Sequence, residues 1–342
     1  MVDSREDAEV RTRWLWMPPG RKDAIPLGGD ADGCAWIECR SASAPDDWGV
    51  PYATSVFKVD GIGNGSRIGW LPKRLVSANR SIALSPCGTR AAYIAPGKLR
   101  NTIVTVEASS GRVVREVSPR TATMMWMAFA RGGELLVEYG ANWDPERRAW
   151  AVHDLTSGDS WCEEQLGQDM PRAAAQASLP AVVCFRWPGN AKPPSRMTYV
   201  SLDGAVSVVG TREVVPPGQA LALRAGRVFV DWPLLAVLDI RDPSRDVLLP
   251  GHGSGTQDLV APYSGEWVAS IENGRDLTIW SGGGAVLSRS SLPYVVVGGA
   301  ARSVGVVLCD GRSIVVSAPG GEEYPGRSET IACVEVRASS TS

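Results

Sequence analysis

The sequence predicts an all-β chain of repeated four-stranded units, and three observations predict it. Short apolar runs alternate throughout with turn residues, and 37 glycines supply the backbone conformations that tight reversals need. No long stretch carries apolar residues at helical spacing; the best candidate, Asp169 to Ser178, is short and Ala-rich and reads as a connection. Comparable turns also recur. The intervals from Gly88 to Gly133 and from Gly226 to Gly265 lie near the roughly 40–50 residues of a propeller blade. The fold expected is an all-β, seven-bladed β-propeller, with six and eight as the neighbouring counts. Residues 10–337 read as one propeller domain, 1–9 as a flexible N-terminal arm and 338–342 as a C-terminal tail.

In chain order, Val10 to Met17 reads as a strand with Trp14 and Trp16 on one face, ended by Pro18-Pro19-Gly20. Cys34 to Arg40 follows the turn Asp30-Ala31-Asp32-Gly33. Ser41 to Pro51 is a polar loop. Ser55 to Asp60 and Ser66 to Leu71 are strands around a Gly-rich turn. These four strands are grouped as a first blade. Ser81 to Ser118 is the second, and its Ser85-Pro86-Cys87-Gly88 turn is of a kind frequent between the first two strands of propeller blades, with Cys87 in place of Asp. Met124 to Gln165 is the third. The fourth has Ala181 to Trp187, Arg196 to Leu202 and Ala205 to Val209, with Asp203-Gly204 as a hairpin turn. The fifth has Ala220 to Leu223, Arg227 to Trp232, Leu235 to Ile240 and Asp246 to Leu249. The seventh has Tyr294 to Val297, Val304 to Cys309 and Ser313 to Ser317, and Thr330 to Arg337 is a last strand. Either that strand or the Trp14 strand is expected to complete a blade from the other end of the chain, because closure hides sheet edges.

The clearest unit is the sixth, Leu248 to Ser288. Asp258 to Ala261, Trp267 to Ile271, Leu277 to Trp280 and Ala285 to Ser288 are four short strands, and Asn273-Gly274 is a strong hairpin signal. Gly251-His252 ahead of it, Ser270 within it and Trp280 near its end resemble a WD40 repeat. The resemblance is specific for this unit and faint elsewhere. It implies a hydrogen-bonded network of His252, Ser270 and Trp280. The family's Asp falls near Gly274 and is missing, and Ser281 rather than Asp follows Trp280.

Composition excludes several function classes. The formal net charge of −2 argues against the basic face of a nucleic-acid-binding protein. The N-terminus is charged and unlike a secretory signal, and no run is apolar enough to span a membrane. The seven cysteines, Cys34, Cys39, Cys87, Cys162, Cys184, Cys309 and Cys333, are odd in number and lack a C-x-x-C pair, so they read as reduced thiols in a cytoplasmic protein.

No catalytic constellation stands out, and no cofactor or metal is expected. His252 has its place in the repeat. His153 lies in a strand, with Asp154 on the opposite face, so a catalytic role is the lesser reading. Asp30-Ala31-Asp32-Gly33 begins like a calcium loop, but the later ligands are missing and a plain turn is the better reading. The acidic segment Asp159 to Asp169 reads as a solvated connection. Trp126, Trp150, Trp187 and Trp280 read as packing between blades. Trp48 and Trp143 lie in polar loops beside Asp47 and Asp144, where an aromatic ring is an anchor for a partner. The function expected is therefore a non-catalytic protein-interaction scaffold, a subunit or adaptor of a larger complex. The alternative is an enzyme or small-ligand binder using the central channel.

Overall fold

The computed structural model describes residues 9–17, 22–41, 51–76, 82–98, 100–121, 124–140, 149–167, 169–171, 181–186, 195–215, 220–231, 235–250, 256–272, 276–291, 304–308, 310–318 and 330–337. Seven antiparallel sheets form the blades of a β-propeller. Glu9–Trp16 (β1) belongs to the last of them. The first blade holds Lys22–Gly29 (β2), Ala35–Ser41 (β3), Pro51–Val59 (β4) and Gly65–Arg67 (β5), with Arg74–Val76 (β6) also paired to β4. The second holds Ile82–Leu84 (β7), Arg90–Ala95 (β8), Thr102–Glu107 (β9) and Val113–Val117 (β10). Met124–Ala130 (β11), Leu135–Gly140 (β12), Ala149–Asp154 (β13) and Ser160–Cys162 (β14) make the third. Met170–Pro171 (β15), Ala181–Arg186 (β16), Ser195–Ser201 (β17) and Ser207–Val214 (β18) make the fourth. Ala220–Ala222 (β19), Arg227–Val230 (β20), Ala236–Asp239 (β21) and Val247–Leu248 (β22) make the fifth. Thr256–Val260 (β23), Trp267–Glu272 (β24), Asp276–Ser281 (β25) and Val286–Ser291 (β26) make the sixth. The seventh joins Val304–Val307 (β27), Ser313–Ala318 (β28) and Thr330–Arg337 (β29) to β1.

The inner strands of successive blades adjoin: β2 meets β7, β7 meets β11, β19 meets β23, and β27 meets both β23 and β2. Apolar clusters fill all seven blade-to-blade interfaces, so the core is a ring of seams rather than one centre. No helix among the described residues is long and apolar enough to cross a membrane.

The Trp14 strand corrects the first-blade grouping. It lies against β29 as the outer strand of the seventh blade, with Trp14 opposite Cys333 and Trp16 opposite Ile331. The first blade's inner strand is instead β2, KDAIPLGG, which shows no alternation. Pro26 and Gly28 flank a register shift there, and such irregularities accommodate a residue without an N–H. The expected strand Tyr294 to Val297 lies outside the described residues, as does most of Asp169 to Ser178.

Closure rests on shape as well as pairing. Trp14 and Trp16 are buried, while Leu15 between them is 52% exposed. The turn after β4 presses on them, and a Cβ at Gly65 would lie 2.4 Å from Trp16 Nε1. Beside Trp14 in the same strand, Arg13 donates to Ser313 Oγ at 2.9 Å.

From the second blade to the sixth, arginines tie one blade to the next through backbone carbonyls. Arg90 reaches Gly133 O, Arg131 reaches Gly204 O, Arg212 reaches Asp239 O and Arg227 reaches Gly282 O. Arg115 and Arg120 do the same to Thr156 O and Ser160 O. The guanidinium offers several donors at the end of a long stem, which suits a carbonyl already fixed in a turn. Tyr199 makes a comparable link, its hydroxyl donating to Leu223 O in the fifth blade. Burial pushes the Tyr199 phenol up to about 12.

Two outcomes follow from these seams. Gly65→Val overpacks the closure and costs about 1–3 kcal/mol. A thermal melt of that variant falls by several degrees, whereas Gly69→Ala, with nothing within 4 Å of its Cβ position, leaves it unchanged. Equal melts for the two would show that closure does not depend on this contact. For Tyr199, the folded pKa lies above the unfolded value, so its contribution is complete below pH of about 10 and is lost as pH rises toward about 12. In denaturant titrations, the stability advantage of wild type over Tyr199→Phe should shrink by about 1 kcal/mol between pH of roughly 9.5 and 11. A constant difference would refute the assignment.

Candidate functional site

Antiparallel alternation gives the ring two unlike faces. One carries the turns between first and second strands and between third and fourth strands. Among the described residues these are short turns; the fourth blade's connection, 172–180, lies outside them. The carboxylates of Asp30, Asp60, Asp154, Asp239 and Asp310 each accept two backbone N–H groups of their own turn. These backbone donors, at Asn64 and Ile62 and at Ser157 and Thr156, hold the Asp60 and Asp154 carboxyls below the usual range. Asp30 also accepts from Trp36 Nε1 at 3.0 Å, and Lys58 Nζ stands 2.8 Å from Asp30 and 2.7 Å from Asp32. An ammonium thus occupies the place a calcium ion would need, and the turn is a closed structural unit. Burial pushes the Lys58 amine down, but its bonds to Asp30 and Asp32 outweigh that and hold it raised. The Cys87 thiol lies within reach of Thr89 Oγ1 at 2.9 Å and Ser85 Oγ at 3.5 Å.

The opposite face carries the connections between second and third strands. They are longest at 42–50 in the first blade, 141–148 in the third, 187–194 in the fourth and 319–329 in the seventh, and shorter at 96–101, 231–235 and 273–275 in the second, fifth and sixth. Trp48 and Trp143, the expected partner-binding residues, fall in the first two and lie outside the described residues. The strand ends that bracket them, Ser41 and Pro51, and Gly140 and Ala149, open on the same face. Trp187 and Trp232 fall in the corresponding connections of the fourth and fifth blades, also outside the described residues. The packing role expected of Trp187 therefore falls outside the described residues as well. Sequence alone could not group these four tryptophans, because strand parity within each blade had first to be known.

Polar relays are buried within the blades. In the sixth, Trp280 Nε1 donates to Ser270 Oγ at 2.9 Å, and Ser270 Oγ donates to Glu272 Oε1 at 3.2 Å. Glu272 supplies the carboxylate that the sequence lacks at Gly274; His252 lies outside the described residues. The third blade builds a counterpart in the same register. His153 pairs with Leu136, the second residue of β12, as Trp280 pairs with Val268, the second of β24. Glu138 and Ser270 are each the fourth residue of those strands.

Ser160, His153 and Glu138 have the residue types of a nucleophile, base and acid. Ser160 Oγ and His153 Nδ1 share a hydrogen bond of 2.7 Å. His153 Nε2 is 3.2 Å from Glu138 Oε2, off good hydrogen-bond alignment. Glu138 Oε1 accepts from Arg120 N at 2.6 Å and Thr121 N at 2.9 Å. Both His153 and Glu138 are 0% exposed in the seam between the second and third blades, so the relay fastens the inter-blade linker. A base needs to reach its substrate, and this one is enclosed.

The acidic segment ends differently from the solvated connection expected. Asp169 is buried, lies 2.8 Å from Arg186 Nε and 2.7 Å from Arg196 Nη2, and accepts from Thr198 Oγ1. Its backbone carbonyl takes the Trp150 indole N–H at 2.9 Å. Arg186 and Arg196 are direct cross-strand partners, and such a like-charged pair calls for a counter-ion. That pairing was the missed signal.

Six cysteines among the described residues are free thiols; Cys309 lies outside them. No protein-family model matches the chain, and no curated protein matches it in sequence. The architecture itself defines the class: a seven-bladed β-propeller.

The Glu138 relay has a measurable weight. Glu138→Ala leaves two linker N–H groups without their acceptor and removes the carboxylate packed beside His153, a loss of about 3 kcal/mol or more in urea unfolding. Glu138→Gln keeps an acceptor oxygen and loses less. Equal, small losses for both would show that the linker does not depend on this carboxylate.

Proposed function

We propose that this protein is a non-catalytic interaction scaffold, a subunit or adaptor of a larger complex, that engages another protein with the face joining second and third strands. The observation that carries this is the contrast between the faces. Among the described residues, one is a set of tight turns in which five aspartates bond the backbone of their own turn. The other gathers longer connections that contain Trp48, Trp143, Trp187 and Trp232. Aromatic side chains dominate the binding energy of interfaces, and a rigid ring presents them at low entropic cost. The Trp280–Ser270 bond supports a finer reading of the sixth blade as a WD40-like repeat. The free thiols support a cytoplasmic setting. The near-neutral charge disfavours nucleic acid as the partner. Of the inner strands, Ile82–Leu84 and Ala220–Ala222 are apolar and buried, whereas Lys22–Gly29 and Thr256–Val260 carry polar and charged residues in their sequence.

The test is quantitative affinity capture from native lysate with wild type, Trp48→Ala/Trp143→Ala, and Ile62→Ala as a control on the turn face, where Ile62 is 79% exposed. A stoichiometric partner held by wild type and Ile62→Ala, and reduced at least tenfold with the double variant, is expected. Retention by the double variant at unchanged melting temperature would overturn the assignment of the face, and recovery of the protein alone would overturn the scaffold reading.

A further inference from the structure

A cavity of about 500 Å³ opens between the fifth and sixth blades. Its cause is a mismatch of strand lengths. The outer strands of the fifth blade, β21 and β22, have four and two residues, whereas β25 and β26 of the sixth have six each. The neighbour-facing surface of the sixth blade is left uncovered at one end, and it is polar there. Glu272 and Asp276 are direct cross-strand partners, and Arg289 sits one strand over, opposite Thr278. All line the cavity, with Leu235 and Trp280 as its apolar part.

Like charges directly opposite each other on a sheet repel. This chain resolves the same problem in the fourth blade, where Asp169 bridges the Arg186 and Arg196 pair. Among the described residues, no cation bridges Glu272 and Asp276, and the side chains of Asp276 and Arg289, both exposed, make no hydrogen bond or ion pair beyond the backbone pairing of their strands. Glu272 takes only the Ser270 hydroxyl. A cation alone would leave Arg289 unmatched, and an anion alone would meet two carboxylates. We infer that the cavity binds a small zwitterion of the α-amino-acid class, its ammonium between Glu272 and Asp276 and its carboxylate on Arg289. Cross-strand neighbours and their diagonals stand about 5–8 Å apart, a span the flexible Arg289 side chain closes onto one such molecule. The volume falls within the roughly 300–1,000 Å³ of small-molecule sites. The cavity opens on the face that carries the second-to-third-strand connections, with Glu272 and Asp276 at the two ends of one of them, but its charged residues are distinct from the tryptophans proposed as partner anchors.

The experiment is calorimetric titration of the full chain with each free protein-type L-amino acid, with putrescine as a cation-only probe. At least one amino acid should bind with a sub-millimolar Kd. Glu272→Gln/Asp276→Asn and Arg289→Met, each checked for folding by near-UV circular dichroism, should both weaken it tenfold or more. The amide of the same amino acid, which lacks the carboxylate, should bind weakly and lose its dependence on Arg289. In the absence of ligand, Asp276→Asn should raise the melting temperature by relieving the repulsion. The inference is overturned if no amino acid binds, if affinity is indifferent to the variants, or if putrescine binds as tightly as the best amino acid. A fall in melting temperature for Asp276→Asn would equally count against it, by showing the pair already compensated.

Discussion

A propeller exists only if its first and last sheets meet, and here that requirement falls on one strand pairing. β1 supplies the outer strand to a blade whose other three strands come from the far end of the chain. The pairing of Glu9 with Arg337 and Trp16 with Ile331 brings residues from both ends into one sheet. Every other blade is built from local sequence, so this seam carries the entropic cost of joining the ends. The indoles of Trp14 and Trp16, wedged against a glycine turn of the first blade, give the seam apolar area to offset that cost.

The remaining seams combine apolar clusters with polar fasteners of three kinds. Guanidinium groups reach carbonyls of the next blade. Buried carboxylates, Glu138 and Asp169, gather N–H groups and arginines from linkers and neighbouring strands. Indole N–H groups find an acceptor inside the blade or on the adjoining linker, as at Trp280 and Trp150. Each buried polar group is useful only while its partner is present, which makes these seams specific as well as stable. The abundance of Arg over Lys acquires a structural use in this light, since a fork of donors fits a fixed carbonyl better than a point charge.

These fasteners also account structurally for a cluster of residue types suggestive of chemistry. His153 and Glu138 repeat, with other side chains, the positions that Trp280 and Ser270 occupy three blades later, and Ser160 falls where the sixth blade has Val286. A strand position inside a seam is filled by whatever pair satisfies it. Where the fifth blade is too short to cover its neighbour, the same polar positions become a cavity instead of a fastener.

Alternation, turn residues and the recurrence of short strands determined by themselves the all-β class, the blade count and most strand positions, because those signals act over a few residues. The Gly-rich spacing around Gly88, Gly133, Gly226 and Gly265 was enough to set the period. The sequence did not reveal β2, whose Pro26 and glycines break the alternation, nor the burial of Asp169, whose partners Arg186 and Arg196 follow a long connection. Only the tertiary structure decided that β1 closes the seventh blade, that the connections of Trp48 and Trp143 leave the ring on one face, and that Glu272 faces Asp276 without a bridging cation. Each depends on which strands lie side by side and in what register. That is a global property of the closed ring, set by packing between segments far apart in the chain.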